Sequence, residues 1–392
     1  MTVSTKLTAA GVWPYQQCTR CVMDTTAVDI TFNEKGVCNY CTEFLERSSH
    51  IIHEDPAGKE GRLNALVARV KADGLGKPYD CIVGVSGGVD SSWVLVQTKR
   101  LGLRPLAVHM DNGWNSELAQ NNIANLVRGL GVDLHTHVID WEEYRGLMQA
   151  FFDADVIDVE LLYDNAMMAV NYQQAKKYGI KYILSGDNQA TEGMAMPRGW
   201  NWFKRDKRNI YGLAQQFGKA KIRTFPSIGV LDWFYLEYIK KIKWMSFLDY
   251  LPYNKFDVLN KLEESYGYKR YPFKHYESVF TRFYQGYILP RKFNVDKRLI
   301  HLATLVASGQ MSRDDAMKGL QSIPYPTALQ QEEDVSYFLK KMGWSRNDLE
   351  SYLLRPGIPH DEYPSEKALH IFIFKVGKLL LPKYLREQLK KI

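Results

Sequence analysis

Cysteine is scarce in this 392-residue chain, five in all, and four of the five fall in two tight pairs, Cys18 with Cys21 and Cys38 with Cys41. That distribution argues against a disulfide framework and for a reducing compartment with a metal site. No uninterrupted apolar run of about 18 residues occurs, so neither a membrane span nor a membrane partner is expected. The opening Met-Thr-Val-Ser-Thr-Lys lacks the apolar stretch of a secretion signal, and a soluble cytoplasmic protein is expected. Internal repeats and low-complexity tracts are missing too, which excludes a solenoid. Two familiar nucleotide signatures are also absent: the one glycine-rich strand-to-helix turn lacks the Gly-Lys-Ser/Thr ending of a Walker loop and the third glycine of a dinucleotide fingerprint.

What is present is ample core material, 45% hydrophobic and 13% aromatic, enough for two domains and a small appendage. A net charge of +7 suits an anionic substrate such as a nucleotide or nucleotide sugar, and RNA as well. The stretch from Ser48 to Glu60, with Pro56 and Gly58, reads as a connector.

Each Cys-x2-Cys pair lets two thiolates converge on one cation, and Gly36 supplies the turn that folds the second pair back on the first. A closed four-thiolate shell at Cys18, Cys21, Cys38 and Cys41 has no open position, so a structural zinc is expected; an iron–sulfur cluster is the alternative. Cys81, inside an apolar strand, reads as a small buried hydrophobe.

The segment Val83-Gly-Val-Ser-Gly-Gly-Val-Asp-Ser-Ser92 ends that strand and opens a helix. Gly87 and Gly88 allow close approach of an anion, Ser86 and Ser91 offer hydroxyls, and the free N–H groups of the new helix point at the charge. Asp90 would repel a phosphate unless a divalent cation lies between them, which implies Mg2+ held jointly with the phosphates. Strands at 80–83, 104–110, 133–139 and 181–185 alternate with helices at 116–130 and about 160–178, the pattern of a parallel sheet covered on both faces. Ligands bind beyond the carboxyl ends of such strands, where the tips 86–91, 111–114 and 186–193 lie. His109, His135 and His137 read as ordinary strand residues.

From Arg198 to Arg223 eight Lys or Arg face one Asp, with Trp200, Trp202, Phe203 and Tyr211 among them. A diphosphate with a flat base, single-stranded RNA, or plain solvated surface all fit that mixture. Beyond it the periodicity predicts helices at 231–247, 254–266, 276–288, 296–308, 312–320, 330–343, 346–354 and 364–377. His275, Tyr276 and Arg282 open one of these, followed by Arg291, either as a pocket wall or as a helix that packs its rings and exposes its charges.

Ser-Gly-Gly-x-Asp-Ser after a buried strand resembles the loop of the ATP pyrophosphatases, the PP-loop superfamily. That resemblance implies an α/β fold with a doubly wound parallel sheet of the HUP-like kind, an N-terminal zinc module at 1–50, a nucleotide domain at 60–230 and a mostly helical substrate and partner region at 231–392. It implies ATP and Mg2+ as cofactors beside the zinc. Ser86, Asp90 and Ser91 would be catalytic, and Val85, Ser86, Gly87, Gly88, Val89, Asp90, Ser91, Asp111, Asn112, Gly186 and Asp187 would bind the nucleotide. Asp111-Asn-Gly is also common turn chemistry, and that reading stays open beside the nucleotide one.

Cys18-Thr-Arg-Cys-Val-Met-Asp, Gly36-Val-Cys-Asn-Tyr-Cys, the loop 86–91, Asp111-Asn-Gly-Trp, Thr191-Glu-Gly and Tyr276-Glu-Ser-Val-Phe-Thr-Arg-Phe-Tyr-Gln together resemble the N-acetyl sugar amidotransferases of bacterial lipopolysaccharide O-antigen and flagellar-glycan synthesis. The resemblance spans nearly the whole chain. It implies that ATP adenylates the oxygen of an N-acetyl group on a UDP-linked diacetamido sugar and that ammonia replaces it, giving an acetamidino group. Substrate contacts would come from Thr191, Glu192, Lys204, Tyr276, Arg282 and Arg291. No cysteine sits in a Gly-x-Cys-x-Gly elbow and residue 2 is Thr, so no built-in glutaminase is expected. A separate glutaminase similar to that of imidazole glycerol phosphate synthase, with a cyclase-like companion, is the partner the family implies. The rival reading is a tRNA-modifying enzyme of the same superfamily, such as a thiolase, which needs spare reactive cysteines near the loop.

Overall fold

The computed structural model describes residues 14–218, 221–271 and 276–380, with the side chains of 376–380 left aside. Five short strands of the described residues pair, all parallel, into one sheet: β1 (Cys81–Gly84), β2 (Pro105–Asp111), β3 (Asp133–Val138), β4 (Tyr182–Ser185) and β5 (Lys243–Ser246), in the order β3-β2-β1-β4-β5. Val83 pairs with Ala107, and Ile82 with Ile183. Because side chains alternate along a strand, Ile82, Leu106, Val108 and Ile183 join one core, while Cys81, Val83, Ala107, Tyr182 and Leu184 join the other. Both faces are therefore buried at the centre, which is why β1 and β4 read as continuous apolar runs.

Six helices of the described residues precede β4: α1 (Asn39–Ile52), α2 (Pro56–Asp73), α3 (Val89–Arg100), α4 (Glu117–Leu130), α5 (Trp141–Asp153) and α6 (Leu161–Lys177). Asp55 caps α2 through Gly58 N–H, Ser116 caps α4 through Ala119 N–H, and Asp140 caps α5 through Glu143 N–H, the side-chain acceptors that free helix donors demand. Leu66, Val70, Trp93, Ile123, Val258 and Leu262 cover one face of the sheet; Phe151, Phe152, Leu162 and Val170 cover the other. Each such burial stabilises the fold by about 1.5–3 kcal/mol. The edge strand β3 is the exception, with Val138 69% exposed.

The helix expected at 231–247 stops early. Val230–Phe234 continues through a wider turn at Tyr235–Ile239, then Lys241 adopts a left-handed φ of 58° and the chain turns back into the sheet as β5. Lys243 N donates to Lys181 O at 2.7 Å as the strand begins. The sheet thus runs past residue 230, where the sequence reading drew the edge of the nucleotide domain. Beyond β5 the described chain is helical. The helix expected from 276 begins at Val279, where Ser278 accepts from Thr281 N–H, and the helical run passes through Pro290 to end at Lys292.

The cysteine module packs against this later part. Arg313 donates to Cys21 O at 2.9 Å and to Cys18 O at 3.0 Å, and Ser48 of α1 donates to Gln189 Oε1 at 2.7 Å.

Candidate active site

β2 and β3 lie to one side of β1, and β4 and β5 to the other, so the strand order reverses between β1 and β4. A crevice opens there beyond the carboxyl ends of the strands. The glycine-rich loop after β1 and the tip after β4 form its two lips. Val85 N donates to Val108 O at 2.8 Å, and His109 Nδ1 meets Val85 O at 2.9 Å, so β2 holds the loop's root. Within the loop, Ser86 N and Oγ each lie 3.3 Å from Ser91 Oγ, and Gly88 N donates to Ser86 Oγ at 3.3 Å. Gly87 has φ 84°, and a Cβ there would meet Ala119 O of α4 at 2.8 Å, so glycine is required twice over. α3 begins directly after Gly88, with Asp90 in its first turn, and its leading N–H groups form an anion cradle.

Gly186 brings the second lip into contact with the first. A Cβ on it would lie 2.9 Å from Ser91 N and 3.0 Å from the Asp90 carbonyl carbon. Next to it, Asp187 accepts from Ser185 Oγ at 2.8 Å and Trp244 Nε1 at 2.9 Å. The enclosing protein, and then the charges of Glu192 and Asp90, raise the Asp187 carboxyl above the ordinary carboxylate range. Asp90, in the first turn of α3 beside the phosphate cradle, offers the hard carboxylate oxygen that suits Mg2+.

Three residues that the sequence reading missed close over the loop. Tyr253 donates a short hydrogen bond to Asp90 Oδ1, Tyr271 donates to Gly87 O at 3.1 Å, and Glu277 lies against Gly88 where a Cβ would collide with its carboxylate. Burial, then Asp90, raises the Tyr253 phenol well above its usual range, keeping it a donor. Only the fold brings these three to the loop.

From the Asp187 lip a cavity of about 640 Å³ opens, lined by Asp187, Glu192, Lys204, Arg205, His301 and Trp233, with Met167, Met168, Met194, Met196, Tyr172, Glu237 and Trp244 among the other walls. Its size falls within the range of about 300–1,000 Å³ for small-molecule sites. Lys204 Nζ lies 2.7 Å from Asp158 and 2.8 Å from Asp164. Burial opposes its charge, but the two carboxylates outweigh burial and hold the ammonium above the usual lysine range.

Other expected contacts sit elsewhere. Asn112 is buried, donating to Tyr144 Oη at 3.2 Å and accepting from Trp114 N, while Asp111 accepts from Gly113 N at 2.8 Å. Asp111 also accepts from Asn115 Nδ2 at 3.1 Å, and Trp114 lies in the core against Phe280 and Phe338. Thr191 is buried, its N–H bonded to Asn188 Oδ1 at 2.9 Å. Arg282 grips Asp334 through two bonds of 2.5 and 2.6 Å, Tyr276 donates to Pro324 O at 3.3 Å, and the Arg291 guanidinium lies 3.5 Å from the Tyr287 ring centre. None of Thr191, Tyr276, Arg282 and Arg291 lines the cavity; Glu192 and Lys204 do. Trp200 and Trp202, expected as binding faces, are buried. His275 lies outside the described residues.

The four paired cysteines converge. Cys18 Sγ is 3.9 Å from Cys41 Sγ, and Cys21 Sγ is 3.8 Å from Cys38 Sγ. A tetrahedron with such edges has a centre about 2.3–2.4 Å from each sulfur, the zinc–thiolate bond length. Backbone N–H groups of Arg20, Cys21 and Cys38 point at Cys18 Sγ from 3.3–3.4 Å, as thiolates require. The shell is fully buried, with all four positions taken by protein, so the metal it fits is structural.

Residues 277–378 match the family model described as LPS biosynthesis protein WbpG-like, C-terminal domain. The last quarter of the chain carries that match. It agrees with the resemblance read from the Tyr276 segment. No curated protein matches the chain in sequence. Among solved structures, an NH3-dependent NAD synthetase from Campylobacter jejuni aligns at 16% identity over 66% of this chain and 97% of its own, TM-score 0.28. An NMN synthetase from Francisella tularensis aligns at 13% identity over 57% of this chain and 99% of its own, TM-score 0.29. A predicted subunit of tRNA methyltransferase from Methanocaldococcus jannaschii aligns at 15% identity over 42% and 67%, TM-score 0.25. Likenesses at these scores add nothing to the fold read directly from the sheet.

Proposed function

We propose that the protein is an AMP-forming amidotransferase that converts an N-acetyl group of a UDP-linked diacetamido sugar into an acetamidino group for surface-polysaccharide synthesis. The observation that carries this reading is the shared lip: Asp187 and Glu192 border both the phosphate loop and the cavity, so a nucleotide on the loop has its reacting end open to a second substrate. The lipopolysaccharide family match at 277–378 supports a saccharide as that second substrate. The four methionines and three aromatic rings of the cavity suit acetamido methyls and a flat base.

In this reading the amide oxygen attacks the α-phosphorus of ATP, the bond to the β-phosphate breaks, and pyrophosphate leaves. Ammonia then adds to the activated carbon, and AMP departs with the former amide oxygen. Ser86, Ser91 and the first N–H groups of α3 receive the leaving pyrophosphate, and the closed lip orients the two reactants. Asp90 would hold Mg2+, which would supply charge neutralisation for the phosphates. A separate glutaminase of the imidazole glycerol phosphate synthase type, with its cyclase-like companion, would deliver ammonia. The thiolase reading has less support: four of the five cysteines are committed to the metal shell, and the remaining Cys81 is fully buried with its thiol pushed up by desolvation.

The test mixes protein, ATP, Mg2+, ammonium and a UDP-diacetamido uronic acid carrying 18O in its acetyl carbonyls. The expected result is sugar-dependent pyrophosphate and AMP bearing the label, lost in Asp90→Asn with the melting curve unchanged. Unlabelled AMP, or AMP that needs tRNA instead of sugar, would refute it.

A further inference from the structure

Lys204 and Arg205 stand side by side on the cavity wall, and only one of them is spent. Lys204 is answered by two carboxylates, Asp158 and Asp164, and offers no net positive charge to a ligand. The Arg205 guanidinium carbon lies 4.1 Å from the centre of the Trp233 ring and 5.7 Å from that of Phe203, contacts that fix its plane. Among the described residues no carboxylate comes within ion-pair distance of it and no hydrogen bond uses its donors. Glu237, on the same wall, is engaged by Tyr172 Oη at 2.9 Å and Lys243 Nζ at 3.4 Å. Arg205 is thus a half-buried cation held rigid on an indole, its N–H fork uncommitted inside a cavity.

We propose that Arg205 anchors an anion subsite that takes a carboxylate or phosphate group of the second substrate. The inference rests on the nucleotide-sugar reading above and gives it a direction. A guanidinium fork matches either anion through two parallel bonds, and its partial desolvation strengthens them. A substrate charged at one end and carrying an acetamido group at the other, held by its charge at Arg205, leaves its neutral end for the phosphate loop. Trp233, Trp244 and Tyr172 line the same cavity.

The test compares wild type, Arg205→Gln and Arg205→Lys by calorimetric binding of UDP-N-acetylglucosamine, which has the diphosphate without a carboxylate, and of a UDP-diacetamido uronic acid, which has both. Loss of the fork is expected to raise Kd by about 10- to 100-fold. Lysine should restore only part of it, with ATP binding and the melting curve unaltered. In turnover the change should fall on KM for the sugar, with kcat within about threefold. Weakening of both ligands assigns the diphosphate, and weakening of the uronic acid alone assigns the carboxylate. Unchanged binding of both, with the wild type binding normally, overturns the subsite. A wild type that binds neither and forms no AMP with either overturns the nucleotide-sugar reading and the subsite with it.

Discussion

His360 makes the fold acid-labile in a calculable way. It is 2% exposed, its ring stacks on Trp202 at 5.0 Å and meets Phe151 at 6.1 Å. Nδ1 lies 2.8 Å from Asn209 Oδ1, and Nε2 accepts the Asp158 N–H at 3.2 Å. A second proton would set donor against donor. Burial pushes the imidazole down to about 4, although the Asp158 charge pulls the other way. Against an unfolded value of about 6.5, the folded state binds fewer protons between pH 6.5 and 4. The stability from a neutral His360 is therefore complete above about pH 6.5 and falls as pH drops toward 4. Between pH 7.5 and 5.0 the linkage relation gives a loss of about 2 kcal/mol. Asp249, whose carboxyl burial raises to about 6, works in the opposite direction as pH falls through that value. The readout is therefore the difference between wild type and His360→Gln, whose amide can keep both hydrogen bonds without titrating. Urea denaturation at the two pH values should show the wild type losing about 2 kcal/mol more than the variant. Parallel losses in the two proteins would refute the reasoning.

Three further outcomes are expected. Cys38→Ser opens the thiolate shell, so bound zinc falls to near zero by elemental analysis and stability drops by several kcal/mol; an unshifted melting curve would remove the structural metal. Gly186→Ala places a methyl 2.9 Å from Ser91 N and should separate the two lips by a few tenths of an ångström. AMP formation should then fall by about tenfold or more, with a lowered melting temperature because the clash is with backbone; wild-type turnover would show that the lips need not touch. Lys204→Met leaves Asp158, 1% exposed, without its cation and should cost about 3 kcal/mol in chemical denaturation. An unchanged denaturation midpoint would mean that the Trp202 N–H and the charge of Lys297 satisfy Asp158 without Lys204.

The central strands were legible because each is a buried apolar run ending at a polar, glycine-bearing tip. β5 was not, since Lys-Trp-Met-Ser neither alternates nor follows a turn signal, and it trails a run with helical spacing. α5 went unread although Asp140 and the acids behind it mark a helix start. The phosphate loop could be read because its parts are contiguous in sequence. Its cover could not: Tyr253 lies 163 residues from Asp90, and Tyr271 lies 184 from Gly87. In the basic run 198–223 the partners were hidden for the same reason, because the acids that neutralise Lys204 are Asp158 and Asp164, on other segments. Arg205 has the same local signature as Lys204 and differs only in what the fold sets around it.

The bonds from Arg313 to the carbonyls of Cys18 and Cys21 span 295 and 292 residues. At about 5–20 residues per second, roughly 15–60 s of translation separates the two ends of that contact. During that interval a nascent chain must load its metal and keep the face that awaits Arg313 free of other partners. Zinc starvation should therefore damage the late helices, which lose the surface they seat on, and leave the earlier-made phosphate loop intact. The defect would show as newly made protein that captures ATP yet fails to enclose its second substrate.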